Sequence, residues 1–159
     1  MPKLTASRAT APLDSPIGSL WVTVSPAGLV EVTRGDVPPP GIPRDDDACA
    51  AAIAELVDYF AGRGRDFSLD LDLTDATDFD AAVWQATRHI PYGTTMSYGE
   101  LAIMAGHPGA ARAVGGAMAR CPFFPVVPCH RVIHADGSIG GWGSATWIKR
   151  WLLELEAGG

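Results

Sequence analysis

Cys129 and His130 stand side by side in the run Pro128-Cys129-His130-Arg131-Val132-Ile133, a thiol next to an imidazole, flanked by a rigid residue and branched ones. The thiolate is the nucleophilic form of cysteine, and a neighbouring histidine lowers a thiol pKa from its free value of about 8.5. The run therefore reads as a reactive site. Adjacency alone also fits a small buried cysteine followed by a surface histidine, so the surroundings must decide. Pro122, Pro125 and Pro128 restrict the backbone leading to the cysteine, which makes its presentation rigid.

Three more side chains have chemical potential. Glu156 falls near the end of the amphipathic run Ala145 to Ala157, where an acid opposes the helix dipole, and the residues three and four before it are Leu153 and Leu152. Such a carboxylate either has a partner elsewhere in the fold or sits on a frayed, exposed end. Arg112 is a long cation in a run of small residues, Ala110 to Ala119, and its neighbours at three and four positions are Pro108, Gly109, Gly115 and Gly116. With no acid beside it on the helix, it can reach outward. Tyr98 directly follows Ser97, which with Glu100 forms a capping box and sets the tyrosine in a first helical turn.

The elements that must position these residues are mostly helical. Asp78 caps a helix with Phe79, Ala82, Val83, Ala86 and Ile90 on one face, ended by Pro91-Tyr92-Gly93. The capped helix from Ser97 runs to Ala105, and the small-residue helix follows after Gly106-His107-Pro108. Two helices joined by a short glycine-containing turn suggest a helix-turn-helix. Gly115 and Gly116 cost about 1 kcal/mol each against alanine inside a helix, so something needs close approach to that backbone. Packing of the smooth face on a neighbouring helix is the plain alternative. In the last helix Ile148, Trp151, Leu152 and Leu155 form the core face. The glycine-rich loop Ile139 to Ser144, built around Trp142, could wall a flat ligand.

The first half differs. Leu20 to Val24 and Leu29 to Thr33, between turn signals, predict a hairpin; Ala48 to Phe60 predicts a helix with Ile53, Leu56, Val57 and Phe60 inward and Asp45 to Asp47 at its start. Phe67 to Leu73 alternates strictly, which predicts a strand. The domain boundaries that follow are a loose start at 1–11, an α/β domain at 12–73, a linker at 74–78 and a second domain at 79–159.

Composition limits the classes. The 159 residues suit one compact domain or two small ones. No apolar run approaches the roughly 20 residues that span a bilayer, and Met1 to Ala11 lacks a secretory apolar core, so the expected compartment is cytoplasmic. Cys49, Cys121 and Cys129 are odd in number and irregular in spacing, which argues for reduced thiols, and no zinc-site spacing appears among the four histidines. The formal charge is −6, unevenly placed. From Asp14 to Asp80 stand 14 acids against 4 arginines; from Arg88 to Trp151 stand 6 bases against 2 acids. A basic half that holds the nucleophile can meet phosphate.

Taken together, Ser15-Pro16-Ile17-Gly18, Phe79 to Tyr92, Ser97 to Ala102, Ala111 to Met118, the Pro-Cys-His-Arg-Val-Ile core and Trp151 to Glu156 resemble, in order and spacing, the O6-alkylguanine-DNA alkyltransferases, also called methylated-DNA–protein-cysteine methyltransferases. The resemblance implies an α/β N-terminal RNase H-like domain plus a mainly α C-terminal winged helix-turn-helix domain. It implies irreversible, one-use transfer of an alkyl group from O6-alkylguanine in duplex DNA to Cys129 after base flipping, with O4-alkylthymine as a second substrate. His130, oriented by Glu156, would take the cysteine proton through water, and Tyr98 would donate to the guanine ring. Arg112 would fill the gap in the base stack, with Ala111 and Tyr98 also on the DNA. The carbonyls of Val132 and Cys129 would accept the exocyclic amine, while Met118, Trp142 and Gly143 would line the pocket. The implied partner is alkylated double-stranded DNA, met in the minor groove by a monomer, with no membrane, cofactor or metal.

Two departures stand out. Cys121 occupies a position where the family usually has asparagine, and Trp142-Gly143 stand where tyrosine and a small residue are more common. Among other classes, lesion-flagging alkyltransferase-like proteins share the DNA-binding half but carry tryptophan at the nucleophile position, and Cys129 argues against them. A turnover cysteine hydrolase would need an oxyanion hole that the sequence does not offer.

Overall fold

The computed structural model describes residues 7–140 and 142–158. The chain divides into two compact units, residues 1–75 and 76–159.

In the first unit, β1 (Ala9–Ser15), β2 (Gly18–Ser25) and β3 (Gly28–Arg34) form an antiparallel sheet in that order. The expected hairpin is β2–β3, and β1 is an additional strand. β1 begins inside the stretch expected to be loose, because Thr10 is buried and hydrogen-bonded through its hydroxyl to the Val22 carbonyl at 3.2 Å. α1 (Asp46–Phe60) is capped by Asp45, which accepts from the Ala48 N–H. Its buried face is Cys49, Ala52, Leu56, Tyr59 and Phe60; Val57, expected inward, is 40 % exposed. Cys49 packs with Ala9 and Ala11 between helix and sheet. The strand expected at 67–73 is a single bridge, Leu71 to Leu29. Asp72 ends it: its carboxylate captures the Thr74 N–H, the Thr74 hydroxyl and the Ser25 hydroxyl, turning the chain away. The close run of this segment past β3 explains Gly28, where a Cβ would lie 2.4 Å from the Asp70 carbonyl oxygen.

The second unit carries all the candidate residues. α2 (Asp78–Thr87) is capped by Thr77, not Asp78; the Thr77 hydroxyl accepts from the Asp80 N–H at 3.1 Å, and Asp78 is the first helical residue. β4 (Met96–Ser97) leads directly into α3 (Tyr98–Met104), whose Ser97–Glu100 capping box is complete. Gly106 and Gly109, both at positive φ, make the turn to α4 (Ala111–Arg120). α4 is fixed to α2 by the Trp84 indole N–H, which donates to the Ala117 carbonyl at 2.9 Å, and by an Arg120–Asp80 ion pair at 2.8 Å. A single 3-10 turn, Cys129–Arg131, precedes β5 (Val132–Ile133), and β5 pairs in parallel with β4. That pairing brings the start of α3, and hence Tyr98, to the strand that follows Cys129. α5 (Thr146–Glu156) closes the unit.

Candidate active site

Pro128 leads into the 3-10 turn, and the Cys129 N–H donates to the Val127 carbonyl at 2.8 Å while the Arg131 N–H donates to Pro128 at 2.9 Å. The tight turn points His130 and Arg131 into the interior, where both are buried, and leaves Cys129 on a cavity of about 380 Å³. Its lining is Met118, Ala119, Cys121, Phe124, Cys129, Trp142 and Ala145. Phe124 and Trp142 meet edge to face, with ring centres 4.9 Å apart.

His130 Nε2 lies 2.6 Å from Glu156 Oε2. The same carboxylate takes two hydrogen bonds from Arg131 and one from the Gly93 N–H at 3.2 Å. Arg131 also donates to the Ile90 carbonyl at 2.7 Å, so each of its three guanidinium nitrogens is engaged in this cluster and its wall. The acid placed against the dipole of α5 thus has cationic and imidazole partners in the interior; it is not a frayed end. Burial holds the His130 imidazole below its usual pKa, opposed by Glu156. Because Arg131 already balances the Glu156 charge, a neutral imidazole with its proton on Nε2 satisfies the geometry. That assignment leaves Nδ1 as the basic nitrogen.

Lys149 is fully buried, its ammonium donating to the Val132 carbonyl at 2.7 Å and lying 5.5 Å from the centre of the Trp142 ring. Burial pushes its pKa down to about 8, and Cys129 pulls in the other direction. The Cys129 thiol is itself pushed well above the ordinary range, first by the neighbouring Cys121 thiol and then by burial, with Lys149 opposing. The resting Cys129 thiol therefore keeps its proton until a base or a donor tips the balance.

Tyr98 is half-buried, its ring 5.3 Å from that of His134, and burial raises its pKa, with Cys129 adding to the effect. It therefore stays a phenol, able to donate. Val132 is buried and contributes its carbonyl to Lys149. The Cys129 carbonyl accepts from the Val132 N–H. Gly143 opens the 3-10 turn Gly143–Ala145 before α5. Arg112 and Ala111 lie in the first turn of α4, Arg112 exposed. A Cβ on Gly115 would meet nothing, and one on Gly116 would meet only the flexible tip of Arg120 at 3.2 Å. Val114 and Ala117 do the burying on α4, so packing within the unit does not require the glycine pair.

Sequence reasoning missed Arg131, Lys149 and the Cys121 contact. Lys149 had a signal: it stands three residues before Leu152 and seven before Glu156, on the inward face of α5. No periodic signal marks Arg131 or Cys121, because their partners come from other elements.

A family model described as the 6-O-methylguanine DNA methyltransferase DNA-binding domain matches residues 78–158. A methylated-DNA–protein-cysteine methyltransferase of Mycobacterium leprae is 44% identical over 149 residues, covering 91% of this chain and 89% of the relative. A protein of Thermus thermophilus named as a DNA base-flipping protein is 42% identical over 146 residues, covering 91% and 97%. The crystal structure of Mycobacterium tuberculosis OGT in complex with DNA superposes with a TM-score of 0.80 at 42% identity, covering 95% of this chain and 92% of that one.

Proposed function

The chain belongs to the 6-O-methylguanine DNA methyltransferase family, whose work is direct-reversal repair of DNA by alkyl transfer, and we propose that Cys129 is the atom that receives the alkyl group. The observation that carries this is the Cys129 thiol on the cavity, followed in the chain by a buried His130 that Glu156 holds and Arg131 braces through the same carboxylate. His130 takes the Cys129 proton at Nδ1, relayed by a water, and the resulting imidazolium is stabilised by Glu156. The thiolate attacks the alkyl carbon in line with its bond to guanine O6. The S–C bond forms, the C–O6 bond breaks, and the electron pair leaves on the guanine, where hydrogen bonding from Tyr98 makes it a better leaving group. Lys149 adds a positive charge beside the sulfur. The thioether product has no route back, so one protein repairs one base.

The DNA-binding reading places α3, its glycine turn and α4 as a helix-turn-helix within a winged second domain, entering the minor groove as a monomer; the first unit is of RNase H-like type. Its support is the open backbone at Gly115 and Gly116, which the unit's own packing leaves uncovered and a phosphate backbone can approach. Arg112, exposed on the same helix with Ala111, is the wedge that fills the stack when the base leaves it, offsetting part of the few kcal/mol that extrusion costs. Met118 and Trp142 bound the space for the flipped base; Gly143 follows Trp142 in the chain, and the carbonyls of Cys129 and Val132 are the acceptors assigned to the base's exocyclic amine. Val132 shares its carbonyl with Lys149, so the amine uses the second lone pair.

The name of the Thermus relative favours a second reading, in which the chain flips and marks a lesion without repairing it. Incubation with duplex DNA carrying methylated guanine, followed by mass analysis of the intact protein and its peptides, separates the two. One methyl group on Cys129 per protein, with no turnover, is expected; binding without a mass change would establish the lesion-marking reading.

A further inference from the structure

Cys121 and Cys129 line the same cavity from opposite ends of a proline-rich segment, Cys121 at the C-cap of α4 and Cys129 at the start of the 3-10 turn. Both are free thiols. We propose that hydrogen peroxide drives Cys121 and Cys129 into a disulfide within the pocket, a reversible cap that protects the acceptor sulfur from over-oxidation and holds the protein inactive until a dithiol reduces it. The inference rests on Cys129 being the alkyl acceptor.

Both side chains face this one cavity, and Cys121 is near enough to Cys129 to push its ionisation up, so only a local adjustment of the segment is needed to bring sulfur to sulfur. Pro122, Pro125 and Pro128 order the eight-residue step between them, and a loop that is already ordered loses little further freedom on closure. The third cysteine is a contrast. Cys49 lies in the core of the first unit with its thiol directed at the Val22 and Ala9 carbonyls, and burial pushes its pKa up to about 11. It is a packing group with no thiol beside it among the described residues.

The chemistry closes without further reagents. The Cys129 thiolate, formed with Lys149 nearby, attacks one peroxide oxygen; the O–O bond breaks, hydroxide leaves as water, and Cys129 becomes a sulfenic acid. The Cys121 thiolate then attacks the Cys129 sulfur, the S–O bond breaks and a second water leaves. Two thiols and one peroxide give one disulfide and two waters. Without a neighbour the sulfenic acid can proceed to sulfinic acid, which a dithiol does not reverse.

The test uses the reduced full-length chain and hydrogen peroxide. Trypsin cuts after Arg120 and Arg131, so both cysteines fall in one peptide, 121–131. After peroxide that peptide is expected to lose two hydrogens and to take up no iodoacetamide; dithiothreitol restores both thiols. Methyl acceptance from DNA falls to background and returns with the dithiol. In Cys121→Ser and Cys121→Asn the same dose instead leaves sulfinic or sulfonic acid on Cys129, and acceptance does not return. Sulfinic acid on Cys129 of the unsubstituted chain with Cys121 still a thiol, or disulfide-linked dimers in place of the internal bond, would overturn the proposal. If the reduced chain forms the disulfide but never accepts a methyl group, the acceptor reading has failed and the cap with it; acceptance without a disulfide sinks the cap alone.

Discussion

Arg131 grips both oxygens of the Glu156 carboxylate, Nε to Oε1 and Nη2 to Oε2, each at 2.8 Å. Both side chains are buried, so each charge depends on the other. Removing one partner of a buried pair leaves the survivor uncompensated, at a cost of about 3–5 kcal/mol. Arg131→Leu and Glu156→Leu are each expected to lose stability of that order in urea denaturation. The double variant should lose less than the sum, because the pair is one unit. Additive losses would show that the two groups act independently.

His130 is expected to contribute through its position on this pair. Glu156→Gln keeps the shape and a hydrogen-bond acceptor but removes the charge that stabilises an imidazolium. Methyl acceptance from DNA should slow markedly, and the loss should shrink as pH rises and the thiol ionises unaided. A pH-independent deficit would mean that the variant damages packing instead.

Part of this site was legible from residue types alone. Glu156 opposed its helix dipole, the Ser97–Glu100 box fixed Tyr98, and Cys129 adjoined His130; each is a local relation, and each stands in the fold. The rest depended on which elements meet. Periodicity showed the alternation at 67–73 but not that Asp72 would break the ladder after one bridge. It ranked Asp78 as a cap because an acid is a good one, although Thr77 sits one residue earlier with a hydroxyl that reaches the Asp80 N–H. The grip of Arg131 on Glu156 and the Cys121–Cys129 contact are tertiary, and no spacing encodes them.

Lys149 gives a pH signature. Its folded pKa, about 8, lies below the ordinary 10.5. Between those values the unfolded chain binds more protons than the folded one, so this group makes stability rise with pH across roughly 8 to 10.5, by a few kcal/mol at most. The raised Cys129 thiol works oppositely: above its ordinary pKa the unfolded thiol ionises first, and stability falls. Cys49, which burial pushes up to about 11, acts the same way, so urea midpoints should be compared in a Cys49→Ala, Cys129→Ser background. There the rise is expected with Lys149 present and absent in Lys149→Met. A rise that survives the methionine would assign it to another group.

Gly115 separates folding from DNA binding. A Cβ there meets nothing in the free protein, so Gly115→Ala should stabilise the helix by about 0.4–1 kcal/mol. The same methyl stands where the phosphate backbone is proposed to approach, so duplex affinity should fall. Arg112→Ala should also weaken duplex binding and slow repair, yet leave reaction with a free benzylated guanine base unchanged, since no duplex stack needs filling there. Thermal melting, a duplex titration and the two reaction rates measure all of this. Gly115→Ala with unchanged affinity would remove α4 from the interface, and equal losses on both substrates for Arg112→Ala would remove the wedge.

Cys121→Asn puts back the amide that the family usually has at this position. An amide cannot ionise, so the contact that pushes the Cys129 thiol up disappears, and the amide N–H can donate to a thiolate. The pH at which Cys129 reacts half-maximally with iodoacetamide is therefore expected to fall, and methyl acceptance near neutral pH to quicken. If the amide also braces the turn after α4, the melting temperature rises with it. Cys121→Ala separates the effects: it removes the second thiol without adding a donor or a brace, so it should lower the reactive pH in part and leave the melting temperature unimproved. An unchanged reactive pH in both variants would show that the neighbouring thiol does not control the acceptor.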